Sequence, residues 1–182
     1  MDRLFIPTAV ALVALLGGAA AVTGTAPRAA SRDTIPPAPS PFGMEHAALL
    51  MNFDAALQRA VAPAATRAER ERFVDYLRTA VIPHAQVEER VLYPALETVL
   101  GTRGYATATM VLDHRAIARL TVELAALADP EAFQRKALTV AALVEHHFAK
   151  EEGFVLPNLA RKMNDRDLRA LLARMDAERI AQ

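Results

Sequence analysis

Two thirteen-residue stretches of this chain, HAQVEERVLYPAL (84–96) and HFAKEEGFVLPNL (147–159), follow one pattern: His, three residues, Glu-Glu, four residues, Pro, one residue, Leu. Each lies in a run whose apolar residues recur at helical spacing. Residues i and i+4 of an α-helix share a face, so His84 projects with Glu88 and His147 with Glu151. On a wet face such pairs would be ordinary. Here Leu77, Val91 and Ala95 accompany His84, while Val140, Leu143 and Phe154 accompany His147. Those stripes must face a core. The chain is therefore constrained to helices that carry polar groups inward.

The remaining pattern predicts an all-α fold. A first helix spans about Met44–Val61 and stops before Pro63. The capping-box sequence TRAE at 66–69 opens a second helix that runs to about Val99. Gly101 and Gly104 mark a turn, and a third helix covers about Thr107–Leu127. Asp129-Pro130-Glu131 starts a fourth, which reaches about Met163. A terminal amphipathic helix begins at about Asp165. Pro83, Pro94 and Pro157 each remove a backbone donor and are expected to bend their helices. Long helices joined by short turns pack best as an up-down-up-down four-helix bundle, with the last helix docked at one end or mediating self-association.

Two lone histidines complete the set. His46 shares its face with Leu50, Phe53 and Leu57, and His114 shares its own with Met110, Ile117 and Ala118. The order is thus a lone His, a His-x3-Glu, a lone His and a His-x3-Glu, one unit per helix. Burying four imidazoles and two carboxylates without partners costs on the order of several kcal/mol or more. A pair of cations held by His46, His84, Glu88, His114, His147 and Glu151 removes that cost; a hydrogen-bonded polar core is the alternative. Two His per metal, with both carboxylates able to bridge, leave room for an oxo or hydroxo bridge and an open position. Mixed N/O donors of this kind suit iron, or secondarily manganese, better than four-coordinate zinc.

These residues and their order resemble the hemerythrin-like, His-His-Glu cation-binding family over about Met44–Met163. The resemblance implies a pair of non-haem iron ions in a four-helix bundle, with O₂ or NO as the small ligand. The invertebrate oxygen carrier of that family has a second His four residues after its third-helix His, where this chain has Ala118. The closer likeness is to the symmetric four-His, two-Glu variety of bacterial hemerythrin-like proteins, including those linked to repair of iron centres. Glu151 is preferred as ligand because it repeats Glu88. Glu152 is the alternative, since the oxygen carrier places its acid five residues after the His. A di-iron oxidoreductase acting on NO, peroxide or O₂, or a ferroxidase or iron donor, is the rival to a binder or sensor. No inward Tyr, acid or base beyond the ligand set is evident for proton delivery, which favours the binder.

Neighbouring residues read more plainly. His146 lies about 100° around the helix from His147 and suits a surface or interhelix role. Glu45 and Asp113 read as solvated acids, or else as acceptors for the second ring N–H of a neighbouring ligand. Tyr93 points well away from His84 and reads as packing.

Residues 1–24 contain LFIPTAVALVALLGGAAAV (4–22), nineteen residues without a charge, behind Arg3. They read as a cleaved signal peptide or a membrane anchor, directing the protein to the periplasm or the cell membrane. Residues 25–43 are rich in Pro, Ala and Ser and read as a tether. The bundle then occupies 44–163 and the amphipathic helix 164–182. The absence of cysteine excludes a lipoprotein anchor, thiolate metal sites and iron–sulfur clusters. Charge is balanced, 21 basic against 21 acidic residues, with no basic run dense enough for nucleic acid.

Overall fold

The computed structural model describes residues 41–181, and every regular element among them is helical. In chain order these are α1 (Pro41–Ala60), α2 (Arg67–Tyr76), α3 (Ile82–Val87), α4 (Tyr93–Leu100), α5 (Ala108–Ala125), α6 (Pro130–Lys150), α7 (Leu156–Lys162) and α8 (Asp165–Ile180). Residues 1–40 fall outside that range, and with them the apolar segment and most of the tether. None of the described helices is long and apolar enough to cross a membrane.

The helix starts obey the local chemistry. Thr66 and Glu69 form the expected capping box, with Thr66 Oγ1 accepting from the Glu69 N–H and the Glu69 carboxylate accepting from the Thr66 N–H. The Asp129 side chain accepts from the Ala132 N–H at the head of α6, and Asn164 caps α8 in the same way through the Asp167 N–H. Gly101, at φ 72°, closes α4 in the left-handed conformation that glycine adopts without steric penalty. The buried Glu97 then gathers the next turn, accepting from the N–H groups of Gly104 and Thr107.

The three internal prolines are accommodated by π-helical turns rather than by breaks. Leu77–Val81 precedes Pro83, Glu88–Leu92 precedes Pro94, and Glu151–Val155 precedes Pro157. In each case the N–H just before the proline reaches back five residues: Ile82 to the Leu77 carbonyl, Tyr93 to Glu88, Leu156 to Glu151. Proline supplies no donor, and the wider turn shifts the ladder to suit. Helix therefore runs unbroken over 67–100 and over 130–162.

Each π turn carries one extra residue and rotates the downstream side chains by about 100° relative to a continuous α-helix. Two sequence expectations fail for this reason. Phe154 is exposed, and Val155 is buried in its stead. Tyr93 is turned inward and is only 2% exposed.

The buried apolar side chains form two clusters. One holds Phe53, Phe73, Leu77, Ile117, Leu124, Phe133, Val140 and Phe148; the other holds Val91, Leu92, Leu96, Met110, Val155 and Leu159, with Leu171 and Met175 of α8. Along residues 67–100, α5 and residues 130–162, the inward His and Glu lie at the change from one cluster to the other. The polar layer is thus sandwiched between two apolar ones, and α8 packs against α3, α7 and the Glu88–Leu92 turn on one side of it.

Candidate metal centre

His46 on α1, His84 on α3, His114 on α5 and His147 on α6 are all buried, as are Glu88 and Glu151, which open two of the π turns. Their ligand-type atoms fall into two groups: His46, His84, Glu88 and Glu151, and then Glu88, His114, His147 and Glu151. Within each group the atoms lie within 4.8 Å of one another. Both carboxylates belong to both groups. All six residues singled out by the sequence pattern are thereby brought together.

The rings share one orientation, Nε2 inward and Nδ1 outward. Glu88 Oε1 lies 2.8 Å from His84 Nε2 and 3.4 Å from His46 Nε2. Glu88 Oε2 faces the other pair, 3.4 Å from His114 Nε2 and 4.0 Å from His147 Nε2. Glu151 Oε2 lies 3.6 Å from His46 Nε2 and 3.4 Å from His147 Nε2. Neither Glu88 Oε2 nor Glu151 Oε2 receives a hydrogen bond of good geometry, an arrangement that leaves buried carboxyl oxygens for a cation to satisfy.

Each Nδ1 meets a carboxylate of its own. Glu45 Oε1 lies 3.2 Å from His84 Nδ1, and Asp113 Oδ2 lies 3.4 Å from His147 Nδ1. Glu89 Oε1 lies 2.8 Å from His114 Nδ1, and Glu152 Oε1 lies 3.6 Å from His46 Nδ1. Glu45 and Asp113 are thus acceptors for ring nitrogens rather than freely solvated acids. Glu152 stands behind His46, outside both ligand groups. The doubled Glu of each motif divides its work: the first faces inward, and the second backs a histidine on another helix. Two of the outer acids are themselves ion-paired, Glu45 with Arg179 of α8 and Asp113 with Lys150. His146 is exposed, in keeping with a surface role.

Sequence reasoning missed two aromatic residues. Tyr93 is not mere packing: its hydroxyl donates to Glu151 Oε1 at 2.6 Å and lies 3.2 Å from His114 Nε2, with the two rings stacked. It is also an inward tyrosine, which the pattern alone did not reveal. Phe148 stacks on the His46 ring at 4.5 Å and meets His84 edge-on at 5.6 Å. Its position next to His147 was the only hint.

The protonation pattern shows how poorly this cluster suits itself without cations. Burial alone would drive the His84 pKa down, but the Glu88 charge and the Glu45 hydrogen bond bring it up to about 10. Burial would raise Glu88, yet the charge on His84 and the surrounding ring nitrogens hold it well below the usual carboxylate range. Glu151 is pushed well above that range by burial and by the Glu88 charge. Burial likewise lowers His147 and raises the Tyr93 hydroxyl. Two buried carboxylates this close cannot both stay charged unless positive charge is supplied. Nitrogen and oxygen donors without thiolate fit borderline to hard metal ions.

Comparison with known proteins agrees with this chemistry. Neither curated proteins nor solved structures gave a match. The family model described as the hemerythrin HHE cation binding domain matches residues 42–159, which include every residue of the two ligand groups. A cation-binding family and a buried His/Glu cluster both point to a metal-binding protein, and the chain belongs to the hemerythrin HHE cation-binding domain family.

Proposed function

We propose that this protein holds two non-haem iron ions in a di-iron centre and uses them to bind or sense O₂ or NO, or to handle redox stress, at the cell envelope. The observation that carries the reading is the sharing of Glu88 and Glu151 between two His pairs. His46 and His84 hold one ion, His114 and His147 the other, and the two carboxylates serve both. The scaffold is an up-down-up-down bundle of α1, residues 67–100, α5 and residues 130–162, with α8 added. When bound, the iron pair supplies reversible redox change and an open position for a small diatomic ligand. Iron is preferred to manganese, and both to zinc, because the donors are mixed nitrogen and oxygen.

The chain's own residues set the terms of access. Phe148 covers His46 and His84, while Met110 and Ile117 are buried on the His114 helix. An apolar wall of this kind excludes water and favours small neutral gases over ionic substrates. Glu45, Glu89, Asp113 and Glu152 fix the ring orientations from behind.

Tyr93 favours a second reading, a di-iron oxidoreductase acting on NO, peroxide or O₂, or a ferroxidase. A buried hydroxyl 2.6 Å from Glu151 and 3.2 Å from His114 places a hydrogen-bond donor beside the ligands. Metal analysis of the purified chain tests the shared premise, with about two irons per chain expected; zinc alone at about one per chain contradicts it. Mixing the reduced protein with O₂, NO or peroxide then separates the readings. A stoichiometric, reversible spectral change supports the binder, and sustained turnover supports the enzyme.

The envelope part of the proposal rests on the uncharged run at residues 4–22 and the Pro/Ala-rich stretch behind it. Mass spectrometry of the mature amino terminus from an envelope fraction distinguishes a cleaved leader from a retained anchor. Recovery of the intact chain from the cytosol alone rejects both.

A further inference from the structure

The two motifs match in their His, Glu-Glu, Pro and Leu positions, but they differ just before the proline. Tyr93 occupies that place in the first, and Leu156 occupies it in the second. The π turn at Glu88–Leu92 brings Tyr93 inward, so this difference falls inside the centre, as does that between Ala85 and Phe148. Its hydroxyl donates to Glu151 Oε1, and its ring stacks on His114 at 5.5 Å. Glu88, the counterpart of Glu151, meets no hydroxyl donor: its Oε1 faces ring nitrogens instead, 3.4 Å from His46 Nε2 and 2.8 Å from His84 Nε2.

The two carboxylates are consequently presented in different ways. Glu88 turns one oxygen to each half, Oε1 toward His46 and His84 and Oε2 toward His114. Glu151 has one oxygen engaged by Tyr93 and turns only Oε2 toward His46 and His147. A hydrogen bond donated to a buried carboxylate, in surroundings of low effective dielectric, draws charge toward the bonded oxygen and fixes the rotamer.

We propose that Tyr93 is a positioning residue that makes the two halves of the centre inequivalent, by holding Glu151 Oε1 out of the shared ligand set. The half built on His114 and His147 has a phenol hydroxyl at its side, 3.2 Å from His114 Nε2, whereas the half built on His46 and His84 has the Phe148 ring. Tyr93 against Leu156, and Phe148 against Ala85, are points at which the repeated pattern gives the two halves different surroundings, and only Tyr93 brings a hydrogen-bond donor. This inference rests on the di-iron reading above.

The test is Mössbauer spectroscopy of the full chain loaded with ⁵⁷Fe, together with an iron count. The wild-type protein is expected to show two doublets of unequal quadrupole splitting at about two irons per chain. Tyr93→Phe keeps the ring and removes only the hydroxyl. It is expected to retain both irons while the two splittings converge. A change confined to stability would leave the splittings unmoved. Tyr93→Leu, which introduces the residue type found at 156, is read in the same way should the phenylalanine variant not fold. A single doublet in the wild type overturns the inference, and so does an unchanged pair of doublets in the variant with both irons present. A wild-type chain that cannot hold two irons defeats the di-iron reading itself, a result the iron count separates from the other two.

Discussion

Nε2 of His114 lies 2.8 Å from Nε2 of His147, two buried ring nitrogens from different helices aimed at one point. A pair of neutral imidazoles can satisfy that approach only by sharing one proton, whereas a cation accepts a lone pair from each. His114→Ala should therefore remove at least one metal ion per chain. Ligand binding at about a thousand times its dissociation constant stabilises a fold by about 4 kcal/mol. At a few degrees per kcal/mol for a chain of this size, the variant's melting temperature in excess metal should fall by roughly 10 °C. Metal analysis and a thermal melt check both. Unchanged metal content would remove His114 from the site.

The Arg179–Glu45–His84 chain links α8, beyond the stretch matched by the family model, to the buried His84 ring. Burial would raise the Glu45 pKa, but the His84 hydrogen bond and charge, together with Arg179, hold it below its usual range. Glu45→Gln should weaken metal binding by about tenfold or more, as expected when a carboxylate behind a histidine ligand is lost. Arg179→Ala should weaken it less, because Glu45 remains. Competition with a chelator of known affinity measures both, and equal affinities for all three proteins would disconnect α8 from the centre.

Metal uptake should release protons. His84 has its pKa raised from 6.5 to about 10 in the metal-free fold, and Glu151 is also raised. The extra stability from His84 is fully present below pH 6.5 and is lost as pH climbs through about 10. The metal-free chain should therefore melt at progressively lower temperature across that window. Metal affinity should move the other way, rising with pH as fewer protons have to be displaced. Melting curves and metal titrations at several pH values read the two trends. Parallel rather than opposed trends would refute the assignment.

Leu171 of α8, 3% exposed, packs in the same apolar cluster as Val91, Met110 and Val155. Leu171→Ala should cost about 2–5 kcal/mol and lower the melting temperature by roughly 5–15 °C. A differential scanning measurement on the metal-free protein isolates this packing effect. A loss below about 1 kcal/mol would mean that α8 is not part of the core.

Much of the centre was legible because it depends on spacing within single helices. The i, i+4 relation places Glu88 with His84 and Glu151 with His147 whatever the helices pack against. The apolar stripes around them disclosed which side faced inward. Tyr93 and Phe154 were misplaced because one constant period was carried across Glu88–Leu92 and Glu151–Val155, the turns ahead of Pro94 and Pro157 where the structure inserts an extra residue. The proline itself was the available clue, being a residue without a donor inside a strong helical pattern. Glu89 and Glu152 could not be assigned from their own helices, since each meets a histidine on another helix. Arg179 is separated from Glu45 by 134 positions and carries no pattern that would pair them.

The wide turns at Glu88 and Glu151 have a thermodynamic consequence for loading. In each, the carbonyl of the inward glutamate is already engaged by the N–H preceding a proline. Backbone freedom at these two donors was surrendered when the chain folded, and the rings opposite are braced from behind. An incoming ion therefore has little left to organise. Its capture should slow amide exchange along residues 84–92 and 147–155 only by the stability it adds to the whole fold, with amides in both stretches already protected before loading.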